Sequence, residues 1–428
     1  MSKLDNIDRY FKGDKMIWLV VMLLSVFSLL VVFSSTAALA ARAEVAPFSY
    51  FLKQLMFLVV GFGVLYFISR LPSTLFMGAA QAGFWISIGL LLLMLIMGRS
   101  YNQAVRSLFG FQPAEIAKVA LIIYVARLLT VNQDVIHEGW KKGYIKILLP
   151  VLATCGLIFL SNFSTAAVLG LTCFIMMFIG RVRIKHLVVT VGLAVALLAP
   201  ALFLTKIIDD QVDAKRAKRE QITGALATGY KIVSKTRLQT IYGRIFTWQE
   251  EKKEDTDKKT LQPTQSDFAK KAIASGGLLW GKGPGNSTMR YRLPEAFSDF
   301  VFAIVVEEYG VLFACIVILC YLIVLYRVGV MAKKSTRFFP TLLSIGISTQ
   351  VMLQALVNMC VSTGITPVTG QNLPFISQGG SSLIITCVMF GILLSVSRSQ
   401  TEAEEKEALR KAKLEAASNE QEQIVIKN

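Results

Sequence analysis

Apolar residues gather into ten stretches separated by polar segments, each near the roughly 20 residues that carry a helix across a bilayer core. They run Met16–Leu39, Gln54–Ser69, Leu75–Met97, Ile116–Leu129, Ile145–Leu160, Thr165–Gly180, His186–Thr205, Phe300–Tyr326, Phe339–Val361 and Leu383–Val396. Charged residues precede the first stretch and no small-residue cleavage site follows it, so it is expected to remain as a helix rather than leave as a signal peptide. The pattern predicts an all-α polytopic membrane protein of ten transmembrane helices. Residues 1–15 form an N-terminal segment and 16–206 hold helices 1–7. One large external loop, 207–298, joins helices 7 and 8; helices 8–10, with a re-entrant external segment, occupy 299–397, and 398–428 form a tail. The stretch TEAEEKEALRKAKLEAAS in that tail consists of helix formers and predicts a helical extension. No internal repeat or pair of inverted halves is visible, which weakens a transporter reading.

Composition agrees. The chain is 54% hydrophobic with a net charge of +17 and a mean hydropathy of +0.56, which together describe a membrane protein with basic loops. Positive charge in short loops stays cytoplasmic, and it falls in alternate connections: Lys3, Arg9, Lys12 and Lys15; Arg70; Arg127, Lys141, Lys142 and Lys146; Arg181, Arg183 and Lys185; Arg327, Lys333, Lys334 and Arg337. Both termini are thereby predicted cytoplasmic. The 207–298 loop is basic itself, but long loops cross largely regardless of charge. Its first part, Ile207 to Lys259, reads as a solvated face or an amphipathic surface helix.

Two residue types narrow the chemistry. All six cysteines lie in apolar stretches, so no disulfide framework is implied. The two histidines, His137 and His186, fall on the predicted cytoplasmic side, which excludes a histidine relay or a His-rich metal site outside. Chemistry on the external face must then rest on carboxylates.

Three blocks offer such chemistry. Gly276 begins a glycine-rich run that passes through Pro294 to Asp299, where the chain re-enters an apolar stretch. Partial desolvation there could tune Asp299 as a base; equally, Asp299 or Ser298 could cap the following helix. Glu307 and Glu308 lie deeper, Glu307 about two helical turns from Asp299 and roughly on its face, and read best as a buried polar network. In the second block Gln112, Pro113 and Glu115 open the fourth stretch after Arg106, with Lys118 one turn on. Glu115 and Lys118 can neutralise each other, or Arg106 and Lys118 can meet the diphosphate of a lipid substrate. The third block pairs Gln354 and Asn358 on one helix face with the run Gly364–Leu383. Its Pro367, Pro374, Gly379 and Gly380 suggest a re-entrant segment presenting Ser377, Ser381 and Ser382 to a cavity, or a turn in which Ser381 or Ser382 caps the last helix.

Taken in order, these blocks resemble the shape, elongation, division and sporulation family of peptidoglycan glycosyltransferases, the family of FtsW and RodA. The likeness rests on Gln112–Glu115, on Gly281, Gly283, Leu293, Pro294, Glu295, Asp299, Glu307, Glu308 and Gly310, and on Thr369–Ser382. It implies ten spans in the inner membrane and polymerisation of glycan strands from lipid II at the periplasmic face. Asp299 would be the catalytic base, with Arg106, Glu115, Lys118, Gln354, Asn358, Ser377, Gly379, Gly380, Ser381 and Ser382 on the substrate side. It also implies a class B penicillin-binding protein as transpeptidase partner and other divisome membrane proteins nearby. No nucleic-acid partner is expected. A divalent cation, Mg²⁺ or Mn²⁺, suits the diphosphate leaving group. The FSSTAALA end of the first stretch resembles the division branch more than the elongation branch. Three positions depart from the family pattern: Ser107 stands where a tryptophan is usual, Asn162 where an aspartate is usual, and Gln378 where a tyrosine is usual. Competing expectations are a lipid II flippase, an elongation-type polymerase and a non-catalytic scaffold.

Overall fold

In a computed structural model the described residues are 12–42, 44–97, 99–101, 104–107, 111–136, 143–192, 264–293 and 296–427. Eleven helices and one ribbon are named here in chain order: α1 Lys15–Ser35, α2 Ala37–Arg42, α3 Pro47–Arg70, α4 Ser73–Met97, β1 Arg99–Tyr101, β2 Ala104–Ser107, α5 Pro113–Val131, α6 Ile145–Phe159, α7 Phe163–Ile179, α8 Gln265–Ser275, α9 Val301–Lys334, α10 Phe338–Ser362 and α11 Gly380–Lys427. Residues 184–192 are also helical and begin the expected seventh stretch. Most of the 207–298 loop, including Ile207 to Lys259, lies outside the described residues.

Local chemistry sets the helix starts. Asp14 accepts the Met16 and Ile17 amides at 2.9 and 3.3 Å and so caps α1. Proline occupies the first turn of α3 and α5, where its missing N–H costs nothing. Thr264 and Asp267 form a capping box on α8.

Among the described residues six helices are long and apolar enough to cross a membrane, and α6 and α7 are shorter apolar ones. α10 and the first part of α11 sit centrally, while α3 and α4 turn most of their surface outward. α10 packs on α5, α7, α9 and α11. The outward faces carry large apolar side chains such as Val59, Phe67, Ile86 and Ile96, the distribution expected where lipid replaces water as solvent.

Several expectations change in detail. The first stretch does not run to Leu39 as one helix; α1 stops at Ser35 and α2 follows. The all-α reading needs one addition, the antiparallel β1–β2 ribbon with Ser100 opposite Val105, in which a short connection pairs its own backbone groups. The last span and the tail are one continuous helix, since nothing between Val396 and Glu402 breaks helical propensity.

Candidate active site

The three polar blocks converge at one end of the bundle. At the start of α5, Glu115 lies in the first turn, where the helix dipole favours a carboxylate. Lys118, one turn on, is fully buried and ion-paired to Glu115 at 2.8 Å. The lysine also donates to Gln354 Oε1 at 3.0 Å, so the pairing reading describes Lys118. Arg106 lies in β2, and its side chain is outside the described part of the structure.

On α10, Gln354 passes the contact on, donating to the Asn372 carbonyl at 3.0 Å. Asn358, one turn further, presents its amide N–H₂ to the carbonyls of Gln371 at 2.6 Å, Asp299 at 3.1 Å and Ser298 at 3.4 Å. This one side chain ties the re-entrant segment to the backbone of the proposed base.

Residues 364–379 form no regular helix and fold back between α10 and α11. Ser377 is buried; it receives the Leu373 N–H at 2.8 Å and donates to the Ser298 carbonyl at 2.9 Å. It therefore clamps the segment rather than facing a cavity. Gln371 donates to Thr165 Oγ1 at 2.8 Å, and Ser164 Oγ donates to the Thr369 carbonyl at 3.0 Å. Those contacts anchor the segment to the start of α7, where Asn162 is the N-cap. A cap needs only a side-chain oxygen, which asparagine supplies as well as aspartate; this accounts for Asn162 as a residue of fold. Gly380 opens α11 against Phe57, whose ring would meet an added Cβ at 2.6 Å. Ser381 and Ser382 then lie inside the first turn, so neither caps the helix. Gly379 lies beside Asn372 and Ser382.

Asp299 is half-buried at the junction. The helix begins at Val301 with Phe300 as N-cap and no side-chain cap bond, so neither Asp299 nor Ser298 caps it. The placement of Asp299 on one helix face with Glu307 is likewise corrected, because residue 299 precedes the helix. Ser298 Oγ lies 3.0 Å from Asp299 Oδ1 and 2.7 Å from Asn372 Oδ1. Ser298, read from the sequence only as an alternative helix cap, and Asn372, which the sequence marked only as part of the Thr369–Ser382 block, are thus neighbours of the carboxylate. Thr366 Oγ1, Thr369 Oγ1 and Gln378 Oε1 are buried without a protein partner, leaving polar groups available to a ligand.

Glu307 and Glu308 form the network expected of them. α9 is broken at Gly310, whose φ of 84° suits glycine. Across the break runs the glycine-rich segment: Lys282 and Gly283 donate their amides to the carbonyls of Glu307 and Glu308 at 3.0 and 2.9 Å, and Val311 and Leu312 donate to those of Gly277 and Leu278 at 3.3 and 3.2 Å. Side chains reinforce this clasp. Glu307 pairs with Lys282 at 2.7 Å and accepts from Ser287 and Thr288; Glu308 accepts from Ser34 of α1 and the Ser287 amide, with Arg290 at 3.9 Å.

Among the described residues no group of three or more His, Cys, Asp or Glu could hold a metal ion. In the convergent site Asp299 supplies a carboxylate beside the Ser298 hydroxyl, while Glu115 is ion-paired to Lys118. Such a donor set fits only an ion carried largely by a substrate's own phosphates, as Mg²⁺ often is.

The fold and site define a polytopic helical membrane protein with a polar centre at one end of its bundle, built around a single aspartate and a re-entrant segment. Residues 14–402 match the model of the cell cycle protein family of FtsW, RodA and SpoVE, and the chain belongs to that family. It is 30% identical to the probable peptidoglycan glycosyltransferase FtsW of Coxiella burnetii over 89% of this chain and 95% of that protein. It is 28% identical to stage V sporulation protein E of Bacillus subtilis over 90% and 97%. In fold it is similar to a chain solved in work on the structural coordination of polymerization and crosslinking by a peptidoglycan synthase complex, with a TM-score of 0.65 at 23% identity, covering 91% of this chain and 98% of that one. The rod shape determining protein RodA of Thermus thermophilus superposes with a TM-score of 0.60 at 22% identity over 92% and 99%.

Proposed function

We propose that this protein is an FtsW-type peptidoglycan glycosyltransferase, polymerising glycan strands from lipid II during cell division at the periplasmic face of the inner membrane. Ten spans carry it, with both termini cytoplasmic. The basic residues Arg70, Arg327, Lys334 and Arg337 cluster at the ends of α3, α9 and α10 opposite to Asp299, which supports that orientation.

The observation that carries the chemistry is the convergence of α5, α10 and the re-entrant segment on Ser298 and Asp299. Asp299 takes the proton from the acceptor sugar hydroxyl as its oxygen attacks the anomeric carbon of the donor. The anomeric carbon–oxygen bond to phosphate breaks, and polyprenyl diphosphate leaves with the bonding pair. Asn358 and Ser377 hold the Ser298–Asp299 backbone in place, the positioning that lets a base and nucleophile meet. Thr366, Thr369 and Gln378 face the substrate. A divalent cation entering with the diphosphate would share Asp299 or its neighbourhood and neutralise charge on the leaving group. A class B penicillin-binding protein would cross-link the product, with other divisome proteins alongside. Lys118 is engaged by Glu115 and Gln354 and so does not serve as a free headgroup guide, which counts against a flippase.

Purified protein, with its transpeptidase present, is expected to polymerise lipid II, and Asp299→Asn to abolish this while keeping thermal stability. Undiminished polymerisation by that variant would remove Asp299 from the role of base.

A further inference from the structure

α9 has 34 residues, about 51 Å of helix, against a hydrocarbon core of about 30 Å. The break at Gly310 divides this excess. From Val311 to Met331 the only charged residue is Arg327, ion-paired to Asp14 at 2.6 Å near the cytoplasmic end; that stretch alone is about 32 Å long. Above the break come Glu307 and Glu308, then Asp299. The hydrocarbon boundary therefore falls at the break, and with it falls the Gly277–Gly283 clasp.

That clasp turns three consecutive apolar side chains outward: Leu278 is 76% exposed, Leu279 57% and Trp280 81%. Leu278 adjoins Leu312, whose amide it accepts, and Leu312, Ile316 and Leu319 continue the outward apolar face down the spanning half of α9. On the same loop Lys282 pairs with Glu307, and the loop's peptide groups at the break are satisfied by α9. A tryptophan with apolar neighbours at the boundary of a span is the composition of the membrane interface.

We propose that Leu278, Leu279 and Trp280 are a membrane-interface anchor that sinks into the headgroup–acyl boundary and fixes the height of Asp299 above the hydrocarbon. The helical segment between Gly310 and Val301 sets that height at about 14 Å, which suits a sugar carried beyond a membrane-bound diphosphate. The assignment to the outer leaflet rests on the orientation proposed above; the insertion itself does not.

Full-length protein and Trp280→Phe are reconstituted separately, without any partner, into phosphatidylcholine vesicles. The vesicles carry bromine either near the glycerol end or near the tip of the acyl chain. The difference in emission isolates one indole of the five in the chain. That emission is expected to be blue-shifted, quenched more by shallow than by deep bromines, and little affected by iodide. Quenching by iodide without quenching by lipid would overturn the anchor. Protection from both would overturn it too, since another part of the chain or a second copy would then cover the patch. Because activity is not measured, failure of the glycosyltransferase reading leaves this outcome intact, and failure of the anchor leaves that reading intact.

Discussion

Ser298 has one hydroxyl proton and two oxygens facing it, Asp299 Oδ1 and Asn372 Oδ1. A half-turn of the Asn372 amide satisfies both: Asn372 Nδ2–H donates to Ser298 Oγ, and Ser298 donates to the carboxylate. Ser298 then acts as a positioning residue. Ser298→Ala is expected to lower kcat for polymerisation by about 10- to 100-fold with little change in KM, and Ser298→Thr, which keeps the hydroxyl, to restore it. The Glu115–Lys118 pair makes a different prediction. Lys118→Met would leave Glu115 buried and uncompensated at a cost of about 3–5 kcal/mol, read as a lowered melting temperature in detergent, whereas Glu115→Gln with Lys118→Met should recover most of the loss. At Asn162 the cap account predicts that Asn162→Asp is neutral to stability and Asn162→Ala costs about 1 kcal/mol. These roles were only partly legible in the chain. The i, i+3 spacing of Glu115 and Lys118 suggested their pairing, but a serine next to an aspartate announces nothing until Asn372, 74 residues away, arrives beside it.

At the scale of the element, the broken α9 explains why the segment from Gly276 is so rich in glycine. An added Cβ at Gly281 would lie 2.2 Å from the Glu308 carbonyl carbon, and one at Gly276 would lie 2.1 Å from the Val306 oxygen. Gly281→Ala should lift the segment and strand four peptide groups at the break, a loss of several kcal/mol in a low-dielectric setting. Gly285→Ala meets open space and carries only the strain of φ +81°, about 1–3 kcal/mol. Thermal unfolding of the two variants should rank them in that order. Apolar runs announced the helices, and their ends were mostly right to within a few residues. Two features were not announced: the break inside the eighth stretch, because Glu307, Glu308 and a lone Gly310 within an apolar run are equally compatible with an unbroken helix carrying a buried polar network, and the continuity of α11 into the tail, because a fall in hydropathy ends a span without ending a helix.

For the molecule as a whole, α10 and the first half of α11 form the centre against which the other helices pack, and the site crowns one end of that centre. α11 has 48 residues, about 72 Å of helix; its first part is buried, and residues 403–407 are exposed. Removing the residues after Glu407 is expected to leave lipid II polymerisation and melting temperature unchanged in purified protein, and a loss of either would show the tail to be part of the catalytic unit. The sequence by itself determined that the chain lives in a membrane, which ends are predicted cytoplasmic and which three blocks carry polar chemistry, because hydropathy, loop charge and motif spacing are local properties. Only the tertiary structure decided that Lys118 serves Glu115 and Gln354, that Ser377 is a clamp, that Asp299 stands before its helix rather than on it, and that a glycine segment heals the break in α9. The Lys118–Gln354 and Ser377–Ser298 bonds and those of the glycine segment to α9 join residues far apart in the chain, and a buried polar group's partner is chosen by whichever element the packing brings within about 3 Å.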